Sequence, residues 1–133
     1  MSVSDCTAIG DSIAVGLAQA LHCRPFAKIG RSSGTQAAVM QQVSAHLAII
    51  SLGSNDPMNR NLPLNLLRVR SQVDAGKVVW IAPRNRHAAA AVRQIATRMG
   101  DRIVWLSDFS SHDGVHPASY QRVGRSVTQG ASI

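Results

Sequence analysis

No glutamate occurs in this chain, and all seven of its acids are aspartates. Lysine is scarce too: arginine supplies twelve of the fourteen basic residues, and the formal net charge is +7. A surface so short of acids attracts polyanions such as nucleic acid or acidic wall polymers. It equally suits a solvated face, because net charge governs association and solubility rather than fold or chemistry. Eight of the arginines, at positions 60, 68, 70, 84, 86, 93, 98 and 102, fall in one stretch. The two cysteines, Cys6 and Cys23, are too few for a disulfide scaffold and lack zinc-type spacing. No apolar run approaches the roughly 18 residues of a spanning helix. The N-terminus has no basic region followed by an apolar one, so the expectations are no membrane contact and, by default, a cytoplasmic location.

With 133 residues, 45% of them hydrophobic, ten glycines and five prolines, disorder and collagen-like repeats are excluded. One globular domain over 1–133 is expected, burying roughly two-thirds of the surface its unfolded chain would expose. Such a core needs no metal or disulfide, and the oligomeric state is left open.

Apolar runs of strand length alternate with segments of helical period. Strands are predicted at 6–10, 26–30, 47–53, 77–83 and 102–107, mostly continuous in apolar character, as suits strands buried on both faces of a parallel sheet. Helical spacing appears at Ile13, Leu17, Ala20 and Leu21, at Leu62, Leu66, Val69 and Val73, and at Ala88, Val92, Ile95 and Met99 with Gly100 as the stop. A weaker helix is expected over about 35–45, and a last one after Pro117 carries Tyr120, Val123 and Val127 on one face. Right-handed crossovers then produce an α/β fold, a three-layer α/β/α sandwich around about five parallel strands. Trp80 and Trp105 fall inside strands and are assigned to the core. Cys6 begins the first strand and Cys23 lies just before the second, close enough to bridge if those strands are neighbours, although reduced thiols are the commoner outcome in a cytosolic protein.

Ligands of such sheets bind beyond the carboxyl ends of the strands. Those ends carry Gly10-Asp11-Ser12, Gly30-Arg31-Ser32, Gly53-Ser54-Asn55-Asp56 and, a short loop after the last strand, Asp113-Gly114-Val115-His116-Pro117. A serine hydroxyl needs a base to take its proton, and an imidazole base needs an acid to fix its tautomer. Ser12, His116 and Asp113 can fill those roles. Ser12 would also stand at a helix N-terminus, where backbone N–H groups favour a developing oxyanion, and the Gly30 N–H and Asn55 amide would complete a three-donor hole. Asp11 is expected to shape the turn rather than react.

These four blocks, in this order and spanning nearly the whole chain, resemble the SGNH hydrolases, also called GDSL esterases. The resemblance implies a flavodoxin-like sheet of order 2-1-3-4-5. It implies Ser12 as nucleophile and oxyanion donor, Gly30 and Asn55 as the other donors, His116 as base, Asp113 as its orienter, and no metal or cofactor. Ile13 replaces the usual leucine, a volume-conserving change. Gly34 also follows the second strand and competes with Gly30 as donor.

Other signals are weaker. Gly30-Arg31-Ser32-Ser33-Gly34 fits the G-x-S-x-G elbow of larger α/β-hydrolases, with Ser32 as the rival nucleophile, but the chain is too short for that fold. His112 and His116 flank Asp113 without a further metal ligand in view. His22, His46 and His87 are read as surface or helix-end residues. Phe109, Met58 and Tyr120 are the large apolar or aromatic residues near the motif ends, too few for a deep acyl channel. The reading that results is a serine esterase for short acyl esters, with O-acetyl groups on carbohydrate as the favoured substrates and an anionic polymer as a partner of the arginine-rich surface. An O-acyltransferase with the same residues and a non-catalytic polyanion-binding module are the alternatives.

Overall fold

The computed structural model describes residues 5–129. Five strands, β1 (Cys6–Gly10), β2 (Arg24–Ala27), β3 (Val43–Ser51), β4 (Val73–Ala82) and β5 (Arg102–Trp105), form one sheet. Five helices connect and follow them: α1 (Ser12–Leu21), α2 (Ser33–Val39), α3 (Leu62–Ser71), α4 (Arg86–Met99) and α5 (Tyr120–Gln129). All pairings are parallel and the order is β2-β1-β3-β4-β5. A parallel sheet must be covered on both faces, which explains the unbroken apolar runs. Successive residues of β3 point to opposite sides. Leu47 and Ile49 join Ile13, Leu17, Val123 and Val127 beneath α1 and α5. Ala48 and Ile50 join Trp80, Leu66 and Val92 on the other face, beneath α3 and α4, with α2 at its margin.

Several boundaries differ from the expected ones, each because of a pairing partner. β2 was expected over 26–30 but occupies 24–27: it pairs only with β1, which ends at Gly10 opposite Ala27, so residues 28–30 have no strand to follow and turn away. β3 and β4 begin four residues before their apolar runs, at Val43 and Val73, because each extension pairs with the other. Polar or small residues there, Ser44, His46, Asp74 and Gly76, conceal the strands in the sequence. That extension also takes up the end of the expected 35–45 helix, which stops at Val39. Trp80 is fully buried, whereas Trp105, on edge strand β5, is only half-buried.

Cys6 and Cys23 are bridged, with Cα atoms 4.9 Å apart, against the expectation of reduced thiols. The β1–β2 register puts Thr7 beside Arg24, so the residues preceding them are brought side by side. Both are buried in the core under α1. The bridge closes a loop across a sequence separation of 17, which contributes about 3 kcal/mol in the chain-entropy picture. The paired substitution Cys6→Ser with Cys23→Ser is expected to lower unfolding free energy by about that amount. Alkylation of the unfolded, unreduced protein followed by mass spectrometry should label neither cysteine, and two labelled thiols would contradict the bridge.

Candidate active site

The carboxyl edge of the sheet gathers the polar turns that the sequence placed after its strands. Gly10 ends β1 with φ of 133° and lies against the Ser51 carbonyl, where any Cβ would collide. The Asp11 N–H donates to that same carbonyl at 3.1 Å. Asp11 caps α1: its Oδ1 accepts from the Ile13 N–H at 3.1 Å and from the Ser51 hydroxyl at 3.0 Å. The turn-shaping role expected of Asp11 is what the geometry shows. Its other oxygen, Oδ2, is buried without a partner. Burial pushes the Asp11 carboxyl up to about 6, against the pull of Ser51 and the Ile13 N–H.

Ser12 follows as the first residue of α1, so its N–H is one of the first-turn donors that no helical carbonyl can satisfy. Its Oγ lies 2.8 Å from His116 Nε2, across 104 residues of sequence. On the other side of the ring, His116 Nδ1 lies 2.7 Å from Asp113 Oδ2. Asp113 Oδ1 accepts from the Val115 and His116 N–H groups, both at 2.8 Å. The His116 ring and these two N–H groups hold the Asp113 carboxyl well below the usual carboxylate range. An ionised Asp113 fixes the imidazole with its proton on Nδ1, leaving Nε2 to accept from Ser12.

Gly30 lies in an exposed turn with φ of 81°, a left-handed conformation that glycine adopts without strain. Asn55, also exposed, donates from Nδ2 to the Arg31 carbonyl at 3.0 Å, tying the loop after β3 to the turn after β2. Its second amide hydrogen is not used in that contact. Gly34 instead stands in the first turn of α2, 3.6 Å from Asn65 measured from an idealised Cβ. Ser32 is the N-cap of that helix: its Oγ accepts from the Thr35 N–H and donates to the Thr35 hydroxyl, both at 3.1 Å. No imidazole is among its partners. His112 is exposed, and among the described residues no three His, Cys, Asp or Glu side chains are placed to share a metal ion. His22, His46 and His87 are exposed, and His22 caps the end of α1.

Four supports were not assigned by sequence reasoning. Asp56 accepts from the Ser33 N–H at 3.0 Å, the Ser33 hydroxyl at 2.6 Å and Asn59 Nδ2 at 3.0 Å, while Asn65 Nδ2 donates to Ser33 Oγ at 3.2 Å. This cluster clamps the two loops that carry Gly30 and Asn55; the only signal was the position of Asp56 directly after Asn55. Ser111 Oγ donates to the His116 carbonyl at 2.6 Å and accepts from the Gly114 N–H at 2.9 Å, bracing the loop of Asp113. Arg84 Nη1 donates to the Leu106 and Phe109 carbonyls at 3.0 and 2.7 Å. Arg70 grips Asp101 with two hydrogen bonds of 2.7 and 3.0 Å, and Trp80 Nε1 joins them at 2.9 Å. Part of the arginine-rich stretch is therefore scaffold rather than a solvated face.

A cleft of about 450 Å³ opens beside these loops, between Ser54 and Pro57 on one side and Arg84, Gly114 and Val115 on the other. Met58 is 72% exposed, Tyr120 is half-buried against Gly16 of α1, and Phe109 packs on the core under α1 and α5. Burial, with the charges of Asp11 and Asp113 nearby, pushes the Tyr120 hydroxyl up.

The fold is shared with solved structures across the whole chain. A proposed arylesterase from Agrobacterium tumefaciens str. C58 superposes with a TM-score of 0.67 at 15% identity, covering 97% of this chain and 98% of that one. A member of the lipolytic protein G-D-S-L family from Veillonella parvula DSM 2008 superposes with a TM-score of 0.58 at 12% identity, covering 94% and 96%. No family model matches the chain, and no curated protein matches it in sequence.

The buried Asp11 carboxyl has a consequence for stability. Its folded-state value of about 6 lies above the ordinary 3.8, so folding favours the protonated form. That contribution is fully present below about pH 4 and is lost as pH rises through about 6. Asp11→Asn keeps an acceptor for Ile13 and Ser51 without the charge. It is expected to exceed the parent protein in stability at pH 8 by on the order of 2–3 kcal/mol, the gap closing toward pH 4. Denaturant unfolding of both proteins at the two pH values measures it.

Proposed function

We propose that this chain is a serine ester hydrolase of the SGNH type, working through an acyl-enzyme on Ser12. The observation that carries the reading is the unbroken chain of contacts from Ser12 Oγ through the His116 ring to Asp113, at 2.8 and 2.7 Å. The likeness in fold to a proposed arylesterase and a lipolytic G-D-S-L protein supports it. In this reading His116 Nε2 takes the Ser12 proton as Oγ attacks the ester carbonyl. Asp113 holds the imidazolium, and the Ser12 N–H, Gly30 N–H and Asn55 amide receive the oxyanion. His116 then protonates the departing alcohol oxygen, and a water activated by the same ring releases the acid and restores Ser12. Gly30 is preferred to Gly34 because it adjoins Arg31, whose carbonyl orients Asn55. The same residues serve an acyltransferase when a sugar hydroxyl replaces the water.

The cleft beside the site is lined mostly by small or polar residues, which favours a short acyl group, and O-acetyl groups on carbohydrate are the proposed substrates. One observation favours a second alcohol class, aryl or alkyl. Ile29, Met58 and Val115 are exposed apolar residues, and they neighbour Gly30, the Asn55 loop and His116 in sequence. Comparing acetylated oligosaccharides with aryl acetates decides between the two.

Ser12→Ala is expected to lower turnover by on the order of 10⁴ or more, as for dismantled triads, whereas Ser32→Ala keeps most of it. Asn55→Ala should cut turnover by about 10² to 10³ with the melting temperature little changed. An inactive Ser32→Ala beside an active Ser12→Ala would reverse the assignment. Each methylene gains about 0.8 kcal/mol where a pocket buries it, so a lipase prefers longer chains. Here kcat/KM should peak at acetyl or propionyl esters, and a steady rise through butyryl to octanoyl would point to a lipid substrate.

A further inference from the structure

A groove of about 610 Å³ runs along edge strand β2, from Arg31 after its carboxyl end to Arg24 at its start, with Thr7, Phe26, Gln42 and Ser44 among its walls. No acid lines it. Arg31 is half-buried and its position is held: Nη1 donates to Gln36 Oε1 at 2.9 Å, and Gln36 is itself fully buried and bonded on to Met40 Sδ at 3.5 Å. Its Nε is shielded from water without a partner. Among the described residues the ion pairs are Arg70 with Asp101 and His116 with Asp113, so no carboxylate compensates Arg31.

A half-buried guanidinium whose partner is a neutral amide is under-compensated, and an anion entering the groove supplies the missing charge. The second cation, Arg24, lies at the far end of β2, where three residues of rise alone span about 10 Å. Cations at the two ends of one groove suit an elongated chain with repeated charges. The Arg31 carbonyl is meanwhile the group that holds Asn55, so the groove begins at the candidate oxyanion donors.

We infer that this groove is a subsite for an anionic oligomer, a saccharide or related chain bearing carboxylate or phosphate groups, whose ester is delivered to Ser12 while its charges rest on Arg31 and Arg24. The inference rests on the hydrolase reading for its last step and on the groove alone for binding. It makes Arg31 and Arg24 specificity residues rather than catalytic ones.

The test separates the two. Calorimetry with unesterified trigalacturonate, a glycerol phosphate trimer and neutral maltotriose reads binding without any reaction, the first two arms distinguishing carboxylate from phosphate. One or both charged trimers should bind and maltotriose should not. Arg31→Gln and Arg24→Gln should each weaken that binding at least tenfold, whereas Arg98→Gln, exposed near the end of α4, should not. Arg24 is exposed, so its variant remains informative if Arg31→Gln folds poorly. In kinetics, the ratio of kcat/KM for acetylated trigalacturonate over acetylated maltotriose should fall at least tenfold in both groove variants. Absence of binding by both charged trimers, or equal weakening by Arg98→Gln, overturns the subsite. If the parent protein hydrolyses no ester yet binds in this pattern, the hydrolase reading fails and the subsite stands.

Discussion

The carboxyl of Asp11 is removed from water to join three pieces of backbone, and the position of Ser12 follows from that junction. One oxygen meets both the first turn of α1 and the hydroxyl at the end of β3. The preceding glycine lets β1 turn against the Ser51 carbonyl at a distance no side chain would permit. Such burial raises the energy of the charged form, and the junction persists because two donors and the surrounding core over-determine it. What results is a serine at a helix start, with an unsatisfied N–H beside a hydroxyl, before any partner residue is considered.

The partners arrive from the far end of the chain on a loop with few apolar contacts. Asp113 is exposed, and its geometry comes from local bonds: two N–H groups of its own turn, the His116 ring, and Ser111 bracing the loop. Rigidity therefore has different origins on the two sides of the candidate site. On the side of Ser12 it comes from the core; on the side of His116 it comes from a hydrogen-bonded turn resting on a run pinned by Arg84. Between them, Asp56 and Ser33 unite the loops of Gly30 and Asn55, so that candidate oxyanion donors after β2 and β3, the two strands that flank β1, are held as one unit.

Charge follows a similar division of labour. Arg70 and Arg84 are scaffold, satisfied by a carboxylate or by carbonyls, and Arg102 donates to the Val127 carbonyl of α5 at 2.9 Å. Arg31 is different because its half-buried guanidinium has a glutamine for a partner and no acid. In a chain with seven acids and fourteen bases at least half of the basic side chains must do without a carboxylate of their own. Where part of the guanidinium is shielded from water, as at Arg31 Nε, that shortage becomes an invitation to a ligand.

Much of this was legible in the residues themselves. Continuous apolar runs marked β1 and the inner parts of β3 and β4, because strands covered on both faces have no polar side to show. The short polar blocks at strand ends located Ser12, Asn55, Asp113 and His116, since a parallel sheet sends each strand to the same edge. The sequence did not show where β3 and β4 begin, because their outer halves are stabilised by each other rather than by apolar cover. Nor did it show the end of β2, which is set by the length of β1. The Cys6–Cys23 bridge, the clamp of Asp56 on Ser33 and the unpaired state of Arg31 were decided by tertiary structure alone. Each depends on which groups lie within a few ångströms across 17, 23 or more residues of chain, and pairing, register and burial fix that distance while local pattern does not.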